Sequence, residues 1–291
     1  DVGGSLSVEG KVKAGDVDVG GSFKAKDEVK AEKIDVGGSV SLESQVDIER
    51  LDVGGAAKVC GGRVCNIDVG GSFESNAPLE FESIDVGGTV RLTNKNRGGK
   101  IEVRGSFQVK GDLDFEEVDV GGRVEITGSG QGNKMEVGGK VEIGGSLKLS
   151  GTLEVGGRVE INCEVSARNI EVGGIIRSRK ATAEDRIEVG GSIITSEGAT
   201  ARFIEVGRRA EVRGPIRADH VVIGKEAHVE NVYGKMILLR SGTHVESIYG
   251  ENVTIESYCH ISNEVHYTNE LRMEEHVSLA RTPQKVDKFL F

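Results

Sequence analysis

The stretch "KIDVGGSVSLES", residues 33–44, sets the fold, because its centre returns along most of the chain. Its core is an apolar residue, an acid and a valine (Ile34, Asp35, Val36), followed by two glycines. The acid recurs at Asp1, Asp18, Asp35, Asp52, Asp68, Asp85, Glu102, Asp119, Glu136, Glu154, Glu171, Glu188 and Glu205. Successive copies lie seventeen residues apart, with one spacing of sixteen and one of eighteen. A fourteenth, weaker copy has Val222 in place of the acid.

Apolar–acid–valine alternates with period two, the signature of a strand with one buried face. A second alternation follows six and eight residues into each copy (Leu6 and Val8, Val40 and Leu42), and a third at twelve and fourteen (Val12 and Ala14, Val46 and Ile48). Each lap therefore offers three short strands and about six inward side chains, and no helical stripe of useful length. Strands so short, repeated in phase, do not form hairpins easily. The simple solution winds the chain as a coil and pairs each strand in parallel with its own copy one lap later, about 4.8 Å away. The expected fold is all-β: a single-stranded parallel β-helix (β-solenoid) of triangular section with about 17 residues per coil. Residues 1–280 are expected to form one continuous β-helix, regular over 1–210 and variant over 211–280, with 281–291 as a tail or cap. The paired glycines, present in eleven of fourteen copies, are expected to serve corners that need positive φ. The polar segments 94–100 and 127–134 are expected to be turns bulging from the coil. Pro283 is expected to stop the strand pattern, with Phe289, Leu290 and Phe291 folding over the last coil or anchoring a partner.

The 291 residues carry a net charge of −10, which argues against nucleic acid and against a simple electrostatic hold on anionic lipid. No apolar run approaches a membrane span. Cys60, Cys65, Cys163 and Cys259 have no metal-type spacing and are expected to be free thiols of a reducing compartment. The acid column is expected to be a hydrated stripe, relieved in part by Lys33, Arg50, Lys100, Lys134 and Arg186 just before the acids. A cation- or partner-binding stripe is the alternative, although the period does not match the nonapeptide calcium repeat.

All six histidines fall in the last 72 residues, and His228, His244, His260 and His276 lie sixteen apart. They form either a solvated ladder, a pH-sensitive face or a metal column; a straight outward column does not converge tetrahedrally. No cofactor and no metal site is expected.

The stretch "IEVGRRAEVRGPIRADHVVIGKEAHVENVYG", residues 204–234, resembles the bactofilin family of polymer-forming cytoskeletal proteins in its rhythm of apolar–x–apolar–Gly, Ala-x-Val and a second apolar pair. The likeness is strongest over residues 170–280, and the chain would be an unusually long member. The resemblance implies a right-handed β-helix. It also implies end-to-end, nucleotide-independent polymerisation through terminal coils, and scaffolding in the cytoplasm at the inner face of the membrane. Leu6, Val8, Val12, Leu271, Met273 and Val277 are the candidate polymerisation contacts. The chain itself is the expected partner, with membrane or cell-envelope proteins as further ones; no nucleotide is expected. The alternative is a binding rod, a surface adhesin or spacer, using its acidic or histidine face. A β-helix enzyme is disfavoured, because paired carboxylates in a loop-walled cleft have no counterpart in the sequence, and the chain is not expected to be an enzyme.

Overall fold

Most inward positions of the repeat are filled by aliphatic or aromatic residues, and in the computed structural model, which describes residues 1–288, those positions build the core. The Phe289, Leu290 and Phe291 cap lies outside the described residues. Among the described residues there is no helix; the elements are strands, and their pairings run parallel. The chain divides into two units, residues 1–145 and a second from Ser146 on.

In the first unit, a typical lap contributes a four-residue strand such as Ser39–Leu42 and an eight-residue strand such as Val29–Val36, which later laps divide in two, as in Leu113–Asp114 and Glu117–Val120. The eight-residue strand joins two of the expected strands around a corner. Val29, Ala31, Ile34 and Val36 are buried, so the inward phase slips by one residue between Ala31 and Ile34. Successive laps stack like over like: Ile34 pairs with Leu51, Asp35 with Asp52 and Val36 with Val53. Three faces close a triangular parallel β-solenoid whose core is a column of stacked side chains. The second unit repeats this design, with Ile170, Ile187, Ile204, Val221, Ile237 and Val253 stacked and buried.

The paired glycines have a different reason from the expected one. None of Gly37, Gly38, Gly190 and Gly191 has positive φ. They are there because stacked backbones come close: a Cβ on Gly38 would lie 2.4 Å from the carbonyl oxygen of Gly21 one lap below, and one on Gly55 would lie 2.5 Å from that of Gly38. Left-handed backbone is used at other corners, at Gly61 and Gly111 in the first unit, and at Arg209, Glu226, Gly242, Tyr258 and His276 in the second.

The polar segments do not bulge either. Asn96–Val103 is a strand, and Gly130–Gly132 pairs with Leu113–Asp114. Asn96 occupies an inward position and is fully buried. It is satisfied there because its Oδ1 accepts the Leu79 amide at 3.0 Å and its Nδ2 donates to the Asn94 carbonyl at 2.7 Å. Gly98 lies over Phe81, whose ring carbons would be 2.0 Å from a Cβ; Gly132 stands in the same relation to Phe115, at 2.4 Å. A large ring in one lap is accommodated by an absent side chain in the next. The polar look of these segments hides a volume exchange across the ladder. Gly98→Ala should lower stability by about 1–3 kcal/mol through overpacking. In a double-mutant cycle with Phe81→Leu, chemical denaturation should show the pair costing less than the sum of the two changes. Strict additivity would mean that ring and glycine are independent.

The ladder also outlasts Pro283, since Gln284–Lys285 pairs with His266 and Tyr267. Proline lacks only its own amide donor, and the following residues rejoin the sheet.

Candidate functional site

The outward columns are where this fold can present chemistry. In the acid column, cations just before the acid pair with it two residues along the strand: Lys33 with Asp35 at 2.9 Å, Arg50 with Asp52 at 3.9 Å, and likewise Lys100 with Glu102, Lys134 with Glu136 and Arg186 with Glu188. A hydrogen bond to Asp35 raises Lys33 above the usual lysine range, and one to Glu102 does the same for Lys100. In the second unit, Glu154, Glu171, Glu188 and Glu205 line a shallow groove of about 460 Å³ floored by glycine backbone.

The histidine column is shorter than expected. His228, His244 and His260 are in register. The first two rings stack at 4.7 Å with planes 7° apart, and the third tilts by 51° at 5.7 Å. His276 is not part of it. The ladder partner of His260 is Ser278, because the last lap is two residues longer, and His276 sits instead in a left-handed turn, stacked on Tyr258 at 5.1 Å. The column lines a groove of about 270 Å³ together with Arg213, Glu230 and Glu246. Among the described residues, no group of three or more histidine, cysteine or acidic side chains could hold a metal ion.

A second aromatic column was not anticipated. Tyr233 stacks on Tyr249 at 4.8 Å, the Arg217 guanidinium lies 4.7 Å from the Tyr233 ring, and His266 meets Tyr249 edge-on. The repeated Tyr-Gly pairs in the sequence carried the signal; the partners above and below did not show.

All four cysteines are free thiols. Burial pushes the Cys259 thiol above its ordinary range, which keeps it protonated and unreactive.

The candidate polymerisation residues fall on two coil edges. Leu6 and Val8 lie on the strand Leu6–Val8, and Val12 opens Val12–Val19. All three are half-buried, whereas one lap on Phe23, Ala25 and Val29 are covered. At the other edge Leu271 and Val277 are half-buried and Met273 is 46% exposed, while Val253 and Ile255 one lap before are covered. Among the described residues, no strand pairs with the far side of Glu270–Met273.

No protein-family model, curated protein or solved structure matches the chain. No helix among the described residues is long and apolar enough to cross a membrane.

Proposed function

We propose that the chain is a non-enzymatic structural scaffold that adds copies of itself coil on coil, forming filaments without nucleotide. The observation that carries this reading is that the regular coils are interchangeable. The register that seats Asp35 over Asp18 is the one that seats Asp52 over Asp35 and Asp68 over Asp52. A coil edge made for the next lap of its own chain therefore fits a matching lap of another chain, through ladder hydrogen bonds and apolar contact. Leu6, Val8, Val12, Leu271, Met273 and Val277 are the groups such an addition would cover. The bactofilin-like rhythm of residues 170–280 supports the same reading and a cytoplasmic place at the inner face of the membrane, and free thiols fit a reducing compartment.

The test is sedimentation and negative-stain microscopy of the chain without nucleotide, beside Leu6→Lys and Val277→Lys. A charge on a coil edge should shift the protein from large species to small ones, with circular dichroism and melting temperature unchanged. Filaments retained by both variants would remove end-on addition. A chain that never assembles would leave a binding platform built on the histidine groove.

A further inference from the structure

The acid column ends in the second unit, and what replaces it is apolar. On the face carrying Ile204, Val221 and Ile237 inward, Glu188 and Glu205 are followed in register by Val222, Leu238, Thr254 and Arg272. The neighbouring outward column reads Arg186, Phe203, His220, Met236, Asn252 and Glu270. Met236 is 51% exposed, and Phe203, Val222 and Leu238 are partly exposed around it. The apolar centre is bounded by Arg186 paired with Glu188 on one side, and by Glu270 paired with Arg272 at 2.7 Å on the other. Along the strand direction, the first pair runs cation then acid, and the second runs acid then cation.

That reversal makes the face self-complementary. We propose that it docks on the same face of a second copy of this chain, with the coils running in opposite directions about a two-fold axis parallel to the strands. Such an axis keeps each column opposite itself and inverts the order of laps. Val222 then meets Leu238 of the second copy, and Met236 meets its His220. Arg186 faces Glu270, and Glu188 faces Arg272. The column at the edge of the face obeys the same rule. It reads Asp185, Arg202, Asp219, Lys235 and Glu251, with Arg202 on Asp185 at 3.1 Å and Lys235 on Asp219 at 2.6 Å. Inverted about the same centre as the other two columns, between the laps of Asp219 and Lys235, it places Asp219 against Lys235 and Arg202 against Glu251. No like charges meet in any of the three columns. A parallel arrangement, with the axis along the coils, would press Glu205 onto Phe203; the antiparallel one offers Glu205 the Thr254 hydroxyl. The isologous form follows from one patch serving both partners. Charges around an apolar centre set its register.

This inference is independent of end-on addition, since it uses a side face and no coil edge. It is tested by cross-linking Glu205→Cys with Thr254→Cys, each in a chain whose Cys60 and Cys163 are serine. The reagent is a short bis-maleimide able to span facing sheets about 10 Å apart. In the antiparallel dimer these two positions face each other, whereas each lies about 14 Å along the face from its own copy, three laps of about 4.8 Å. An equal mixture of the two variants should therefore yield linked dimer, and each variant alone should yield little. Adding Glu270→Arg with Arg272→Glu keeps the pair within the chain but sets like charges across the contact, and should cut the yield roughly tenfold. Adding Arg186→Glu with Glu188→Arg to the same chain should restore it. No linked product, dimers from either variant alone, or a yield indifferent to the charge swap would each overturn the proposal. Filaments retained by both Leu6→Lys and Val277→Lys, with cross-linking intact, would sink only end-on assembly.

Discussion

Val137→Asp is expected to unfold the coils around it, at a cost of about 3–5 kcal/mol. Val137 is 3% exposed and stacked on Val120 in the lap below, in a lap whose Met135, Val141 and Ile143 are buried too. Aspartate is close to valine in volume, so the change opens no cavity; what it adds is a charge with no partner. Burial raises the carboxyl's folded-state pKa above its unfolded value. The penalty is then complete above the folded value and shrinks as pH falls through it, levelling off below the unfolded value of about 3.9. Val137→Asn, which cannot ionise, should lack this dependence, and the difference between the two variants isolates it from the other carboxylates. Because a repeat array can open locally, the sharper readout is hydrogen exchange. Protection should fall first in the strands Lys134–Val137 and Lys140–Ile143 and in the lap below them, Glu117–Val120 and Arg123–Ile126. A variant as stable and as protected as the parent at neutral pH would mean that this column is not a packed interior.

Such a prediction needs only the repeat, and that part of the structure was legible in the residues. A seventeen-residue phrase with three period-two alternations admits few foldings other than a parallel coil, and the stacking of Ile34 on Leu51 follows from it directly. What escaped were features that depend on the lap above or below. Gly98 and Gly132 look like loop residues until Phe81 and Phe115 are seen beneath them. Asn96 looks solvent-facing until its two backbone partners are in place. His276 has the right spacing for the column, but a lap two residues longer moves it into a turn. The apolar face had a visible signal, the loss of the acid at Val222. In isolation, an outward valine in a strand is ordinary; it gains meaning only once Leu238, Met236 and Phe203 stand around it.

The glycine corners give the second large effect, and a matched pair of substitutions separates its possible causes. Gly38→Ala is expected to cost about 2–4 kcal/mol: about 1 for the backbone hydrogen bond it disturbs and the rest for overpacking that no side chain can relieve. The Gly38 amide donates to the Gly21 carbonyl at 2.9 Å, and a Cβ would lie 2.4 Å from that same oxygen. The obstacle is backbone, so relief requires the two laps to part. Gly4→Ala is the control. Gly4 occupies the same place in its lap, but a Cβ there meets nothing within 4 Å. Its loss should be neutral or slightly stabilising, because alanine narrows the unfolded ensemble. If these glycines served a left-handed corner, both changes would be costly; if they serve close approach, only Gly38→Ala will be. Both positions meet the lap below at similar distance: a Cβ on Gly54 would lie 2.4 Å from the Gly37 carbonyl oxygen, and one on Gly55 2.5 Å from that of Gly38. Melting curves of the two variants therefore decide whether the column of glycines sets how closely the coils approach. Coil spacing, in turn, sets the pitch of every outward column, including the charges that would meet a second copy.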